Sequence, residues 1–276
     1  MLAPSSGAPA QMRINLGSSG VRFASLGSGS RGNGTLVQMN GQLVLVDCGF
    51  TLKDVRARLA RLGVEPGQLD ALLVTHEHSD HARGIPALAR HCGAPTYLSY
   101  GTARALRDWD GFELRPFDSH SSFEIGGVNV TPVSVPHDAR EPTQFVFDAT
   151  LAGAPRRIGV LTDLGHVTRH VVDCYQGCHG LLMESNHDLD MLWRGRYPAA
   201  LKRRIAGMQG HLANAQALEF LDAVCHEDLQ HVLVGHISEE NNCPRLIGEL
   251  YQDVSASVGN LELATQALGS DWVEIT

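Results

Sequence analysis

Residues 75–81 read Thr-His-Glu-His-Ser-Asp-His and follow Ala71-Leu72-Leu73-Val74, a short apolar run of the kind that forms a buried strand. Four side chains able to bind a cation, His76, His78, Asp80 and His81, therefore leave a strand end together. Histidines at i and i+2 project to the same side of an extended segment, and Asp80 and His81 at the following turn can swing toward a neighbouring point. One loop can thus serve two metals. Imidazole nitrogens and carboxylate oxygens form the donor set for zinc, with manganese the alternative as oxygens accumulate. The plain alternative is a polar helix start with Ser79 or Asp80 as its cap.

Working outward, the apolar runs 21–26, 35–39 and 42–47 are separated by Gly-rich or Asn-Gly turns and predict antiparallel strands. Residues 51–62 switch to helical spacing, with Leu52, Val55, Leu59 and Leu62 on one face and Gly63 as a stop. The strand over 71–75 leads to a helix over roughly 81–91, and 101–107 suggests another. Period two returns between 123 and 162 and again at 180–184, which predicts a second set of strands. Helices follow, clearest at 199–206 and 213–225, then a strand at 231–235, a helix near 244–254 and a last strand at 272–275. This order predicts an α/β (α+β) chain with two sheets and helices outside, in one domain over 21–276.

The 276 residues are 43% hydrophobic, enough for a large core. Residues 1–20, rich in Ser, Gly, Ala and Pro, predict a disordered tail in which Met12 offers a second initiator. That segment lacks a basic n-region and an apolar h-region, and no apolar run approaches membrane-spanning length, which argues for a cytoplasmic protein without a membrane partner. The six cysteines lack C-x-x-C spacing and predict free thiols. Lys and Arg total 22 against 30 Asp and Glu, a formal charge of −8, so a phosphate-bearing partner must be gripped locally.

Three further segments place a donor just beyond a β-like run: Val-Pro-His-Asp-Ala with His137, Leu-Thr-Asp-Leu-Gly with Asp163, and Val-Gly-His-Ile-Ser with His236. Taken singly, each histidine fits a hydrogen-bonded structural role, and Asp163 fits a turn before Gly165. Their shared position after strands favours one site.

With those residues in view, the chain resembles the metallo-β-lactamase superfamily, whose H-x-H-x-D-H motif is matched by His76, His78, Asp80 and His81, followed in order by His137, Asp163 and His236. The resemblance covers essentially 21–276 and implies a four-layer αββα sandwich of two mixed β-sheets flanked by helices. It also implies two divalent metal ions: His76, His78 and His137 on the first, Asp80, His81 and His236 on the second, and Asp163 bridging. The segments 25–37, 184–188, 197–205, 210–214 and 236–242 look like the YycJ/WalJ-like branch, which implies an exonuclease acting on DNA.

That superfamily includes lactamases, thioesterases, lactonases, phosphodiesterases and nucleases, so substrate must be argued from other residues. Glu184 and His211 resemble the Glu-His pair that moves protons beside the metals in tRNA-processing relatives, and with Asp80 they are the expected catalytic residues; a solvated Glu and a helix-capping His are the alternative. Asn186 and His187 are candidates for contacting phosphate, with a turn role as the alternative. The cations Arg194, Arg196, Lys202, Arg203 and Arg204 could grip a nucleic-acid backbone, with Arg203 the named substrate contact, or form a solvated helix face. The Gly-rich run at 27–34 lacks the P-loop Lys-Ser/Thr ending and is expected as a tight turn bordering the metal cleft. The expected reaction is hydrolysis of DNA or another phosphodiester by water activated between two metals. A rival within enzymes is hydrolysis of a small cyclic phosphodiester, thioester or lactone. Asp163 and His236 are 73 positions apart (236 − 163), too few for the large nuclease insertion of RNA-processing relatives. A rival of another class is an iron-based redox or sensor protein, against which His78 stands, since flavodiiron relatives carry a carboxylate there.

Overall fold

Residues 20–106, 109–252 and 258–276 are described in a computed structural model. The tail expected over 1–20 lies, apart from Gly20, outside them.

One seven-stranded sheet contains β1 (Val21–Gly27), β2 (Gly34–Met39), β3 (Gln42–Val46), β4 (Ala71–Val74), β5 (Thr96–Ser99), β6 (Leu114–Phe117) and β14 (Val273–Ile275), in the order β14-β1-β2-β3-β4-β5-β6. The other contains β7 (Phe123–Ile125), β8 (Val128–Ser134), β9 (Thr143–Leu151), β10 (Ala154–Leu161), β11 (Gly180–Glu184), β12 (His231–Gly235) and β13 (Asn260–Leu263), in the order β13-β12-β11-β10-β9-β8-β7. Both sheets mix parallel and antiparallel pairs. The α-helices are α1 (Leu52–Arg61), α2 (Ser79–Ala82), α3 (Ile85–Cys92), α4 (Tyr100–Ala105), α5 (Arg169–Tyr175), α6 (Leu189–Arg194), α7 (Ala199–Ile205), α8 (Asn214–Val224) and α9 (Pro244–Leu250), with one 3-10 turn at Pro66–Gln68.

The layering follows from how each strand divides its side chains. In β4, Ala71 and Leu73 join the core between the sheets, while Leu72 and Val74 face Val55 and Leu59 of α1 and Ile85 and Leu88 of α3. In β12, Leu233 faces the same inter-sheet core, whereas Val232 and Val234 pack with Phe220 and Leu221 of α8 and Ile247 of α9. Strands buried on both faces carry apolar residues at every position, which is why their runs are continuous rather than alternating. Full burial contributes about 1.5–3 kcal/mol per large apolar side chain. Packing of this kind, not local propensity, therefore holds four-residue strands such as β4 and β5. The result is the expected αββα sandwich.

Several boundaries differ from expectation. The helix expected at 81–91 is two pieces, α2 and α3, joined at Gly84, where a Cβ would stand 2.0 Å from the carbonyl oxygen of Phe50. Only glycine fits at that junction, because the segment that follows β3 passes too close for a side chain. The helix expected near 244–254 is α9 at Pro244–Leu250, and 253–254 lie outside the described residues; so does residue 107 of the helix expected at 101–107, observed as α4. The short strands β5, β6 and β13 have no counterpart in the sequence reading, since four residues give too little periodicity.

Candidate metal centre

The topology of the second sheet brings distant residues to one edge. β10, β11 and β12 pair in parallel, and β8 runs the same way, two antiparallel steps from β10 across β9. Their carboxyl ends emerge together, the place where open α/β sheets bind ligands. His137, Asp163 and His236 lie just past β8, β10 and β12, and Glu184 closes β11. The segment after β4 reaches the same edge, tied across the sheets by the Thr143 N–H donating to the Thr75 carbonyl at 3.0 Å. Asp163 and His236 hold left-handed backbone, φ 54° and 50°, as does Asp47 at 63°. Such conformations cost a non-glycine residue about 1–2 kcal/mol and persist where the surroundings over-determine them.

All seven donors named from the sequence meet here. His76, His78 and His137 form one group, with ring centroids 4.6, 4.8 and 5.0 Å apart. Asp80, His81 and His236 form a second, and within each group the donor atoms lie within 4.8 Å of one another. Asp163 stands between them, Oδ2 at 3.1 Å from His81 Nε2 and Oδ1 at 3.3 Å from His236 Nδ1.

Hydrogen-bond partners outside the cluster fix which nitrogen of each ring carries hydrogen. Thr75 Oγ1 donates to the Asp47 carboxylate at 2.7 Å, so it must accept from His76 Nδ1 at 2.9 Å. His81 Nδ1 donates to Asp47 at 2.7 Å, His137 Nδ1 to the Gly210 carbonyl at 3.0 Å, and His236 Nδ1 to Glu184 at 3.1 Å. The Nε2 lone pairs of all four rings are left for the interior. His76 Nε2 is buried there with no hydrogen-bond partner. Buried orphans of this kind cost about 1–3 kcal/mol each, and converging lone pairs repel. A divalent cation relieves both, so the residues present fit metal ions. Imidazole and carboxylate donors held by outer carboxylates are the pattern of such sites.

Burial, then neighbouring His81, pushes His76 well below its ordinary pKa and keeps it neutral. Burial opposes charge on His81, but Asp163 and Asp47 outweigh it and raise its pKa well above the ordinary value; a cation would displace that second proton. Burial would raise Asp163, yet His236 and His81 hold it well below the usual carboxylate range.

Glu184 is fully buried and organises the edge. Its Oε1 accepts from the N–H groups of Leu164 and Leu212, and its Oε2 from those of Asp163, His236 Nδ1 and His211 Nδ1, all at 2.9–3.2 Å. These bonds overcome burial and pull its pKa down to about 2, while the same contact lifts His211 to about 9 against its own burial.

The Gly-rich turn borders this centre as expected. Asn33 Nδ2 lies 3.0 Å from His81 Nε2, Asn33 N–H donates to the Asp80 carbonyl at 2.8 Å, and Ser28 Oγ accepts the His236 N–H. Gly49 permits the approach, since a Cβ there would stand 1.8 Å from the Asp80 carbonyl oxygen. Asp47 was missed from the sequence, although it follows the β3 run as Asp163 follows β10.

A cleft of about 370 Å³ opens onto the centre, lined among others by His78, Asp80, Asp163, His211, Asp138 and Arg204. Three expected substrate contacts do not line it. Asn186 is buried, its amide donating to the His236 carbonyl at 3.0 Å, and His187 is 1% exposed. Both lie beneath the edge, in the chain that leaves β11. Arg203 is replaced at the cleft by Arg204, because consecutive helical residues point about 100° apart. Three cations of the basic cluster are also paired with carboxylates. Arg194 pairs with Asp190, Arg196 with Glu240 and Arg204 with Asp138, and Lys202 donates to the carbonyls of Trp193 and Gly195.

Residues 42–237 match the Lactamase_B_2 family, described as a β-lactamase superfamily domain. The chain belongs to the β-lactamase superfamily. The matched span of this superfamily member contains every donor from His76 to His236. The chain is 34% identical to exodeoxyribonuclease YycJ of Bacillus anthracis over 233 residues, 82% of this chain and 86% of that protein. It is 31% identical to exodeoxyribonuclease WalJ of Streptococcus pneumoniae serotype 2 (strain D39 / NCTC 7466), over 82% and 85%. Among solved structures, the metallo-β-lactamase fold protein YhfI of Bacillus subtilis superposes with a TM-score of 0.68 at 16% identity, over 92% of this chain and 99% of that one, a likeness of fold. Among the described residues no helix is long and apolar enough to cross a membrane.

Proposed function

We propose that this superfamily member is a dinuclear metal-dependent phosphodiesterase, an exonuclease on DNA, with 21–276 acting as one domain. One cation would be held by His76, His78 and His137 and a second by Asp80, His81 and His236, with the Asp163 carboxylate available between the two groups. The donor set favours zinc, with manganese as the alternative. When bound, the pair supplies Lewis acidity, bringing the pKa of coordinated water toward 7 and offsetting the charge of a diester. Asp47, Thr75, Gly210 and Glu184 keep the imidazole hydrogens outward and the lone pairs inward. Glu184 holds the Nδ1–H of His211, which leaves the other edge of that ring to deliver a proton to the departing alkoxide oxygen. The observation that carries this reading is the His211–Glu184 contact at 3.2 Å beside the two donor groups: hydrolysis of a diester needs a held acid for its leaving oxygen. The names of the Bacillus and Streptococcus relatives support DNA as the substrate.

The test is turnover by purified protein of known metal content. Release of nucleotides from 5′-labelled double-stranded DNA and hydrolysis of bis-p-nitrophenyl phosphate are expected, both abolished by His76→Ala. Turnover of nitrocefin or S-lactoylglutathione without diester cleavage would instead favour a small-molecule hydrolase, and two irons with visible absorption would favour a redox protein.

A further inference from the structure

Among the described residues, Arg204 is the one Lys or Arg side chain lining the cleft. Around it stand the carboxylates of Asp80, Asp138 and Asp163, so an anionic substrate meets mostly negative charge on the protein side. The guanidinium is held by one edge only: Nε donates to Asp138 Oδ2 at 2.5 Å, and among the described residues neither Nη has a hydrogen bond. Four N–H groups on a planar fork are thus available beside the metal donors. A fork of this kind matches two oxygens of a phosphate.

The backbone that carries it is tied to the centre. The His211 N–H donates to the carbonyl of Ile205 at 2.9 Å, the Asp138 N–H to the carbonyl of Gln209 at 3.0 Å, and His137 Nδ1 to the carbonyl of Gly210 at 3.0 Å. The end of α7, the turn 209–211 and residues 137–138 are therefore stitched into one unit that carries Arg204, His211 and His137 together. Asp138 faces both ways, with Oδ1 3.6 Å from His137 Nε2 and 3.7 Å from His78 Nε2 while Oδ2 holds Arg204.

We propose that Arg204 is the substrate-anchoring cation of this centre, its Nη groups binding the non-bridging oxygens of the scissile phosphodiester, and that Asp138 is its positioning residue. The assignment rests on the phosphodiesterase reading and names the protein group that recognises the diester anion. It distinguishes Arg204 from its neighbour Arg203, which does not line the cleft.

The experiment compares metal-loaded wild type with Arg204→Ala, Arg204→Lys, Asp138→Ala, Asp138→Asn and Arg203→Ala, each with metal content and thermal midpoint measured. The substrate is bis-p-nitrophenyl phosphate, which has no flanking phosphates. Losing a charge-assisted contact predicts a KM raised about tenfold or more in Arg204→Ala, with kcat and metal content held. Arg204→Lys keeps the charge without the fork and should fall between. Asp138→Ala should raise KM, and Asp138→Asn, which still accepts from Nε, should restore part of it; a purely structural role would move the thermal midpoint without this split. Fluorescence anisotropy with a fluorescein-labelled oligothymidylate reads the same contact without turnover, and a matching loss in Kd is expected. An unchanged KM and Kd in Arg204→Ala, the same loss in Arg203→Ala, or a loss that tracks metal content overturns the assignment. A wild type that cleaves no diester yet binds the oligonucleotide through Arg204 overturns the phosphodiesterase reading alone.

Discussion

Oε2 of Glu184 stands 3.1 Å from Nδ1 of His236, on the far side of that ring from the nitrogen that faces the centre. The same oxygen is 3.2 Å from His211 Nδ1, so one buried carboxylate sets the direction of a proposed metal donor and of the proposed acid at once.

Glu184→Gln places an amide N–H among five donors, so at least one faces another donor inside the protein. Hydrogen bonds to charged groups are worth about 1.5–3 kcal/mol, and a loss of about 2 kcal/mol lowers Tm by about 4–8 °C in a chain of this size. With the acid misdirected, kcat should also fall about 100-fold. Differential scanning calorimetry and steady-state kinetics check both, and an unchanged kcat removes His211 from the chemistry.

Asp47→Asn keeps the shape but weakens the acceptor that holds the hydrogens of His81 and Thr75. Outer partners of this kind typically change metal affinity by about 10–100-fold. Competition with a chromophoric chelator should show the weaker second-group cation leaving first, while far-ultraviolet circular dichroism stays unchanged. Equal loss of both cations would mean that Thr75 passes the change on to His76 in full.

Gly49→Ala inserts a methyl group where the Asp80 carbonyl oxygen would be 1.8 Å away. Residues 48–50 or the 79–81 turn must shift, and overpacking of this order costs about 1–3 kcal/mol. Metal analysis should show occupancy lost at the group containing Asp80 and His81, with the other retained. Full occupancy of both with wild-type Tm would contradict the close approach.

His187 is buried with neither ring nitrogen bonded, and burial pushes its pKa down to about 4. The unfolded chain binds the proton from about 6.5 downward, whereas the folded chain resists until about 4. The associated stability is fully present above 6.5 and is lost as pH falls toward 4. Urea unfolding between pH 4 and 7 should lose part of this slope in His187→Leu; identical slopes would mean that the ring is solvated or paired.

The cluster at 76–81 was legible in the sequence because its four donors are local: one strand end and one turn place them without help from the rest of the chain. His137, Asp163 and His236 were legible only as donors after β-like runs. Their convergence depends on strand direction, since β8, β10, β11 and β12 must all present carboxyl ends at one edge. The break at Gly84 and the strands β5, β6 and β13 were not legible, because the first answers to Phe50 across the fold and the others are too short to carry a period.

By itself, the amino-acid order determined the continuous apolar runs that bury both faces of the central strands, the donor types, and hence a metal-binding sandwich; period and side-chain chemistry are properties of neighbouring residues. Only the tertiary structure decided which nitrogen of each ring faces inward, that Asp47 and Glu184 hold them so, and that Arg204 rather than Arg203 reaches the cleft. Those choices depend on partners dozens of positions away and on the rotational phase of a short helix, neither of which local sequence encodes.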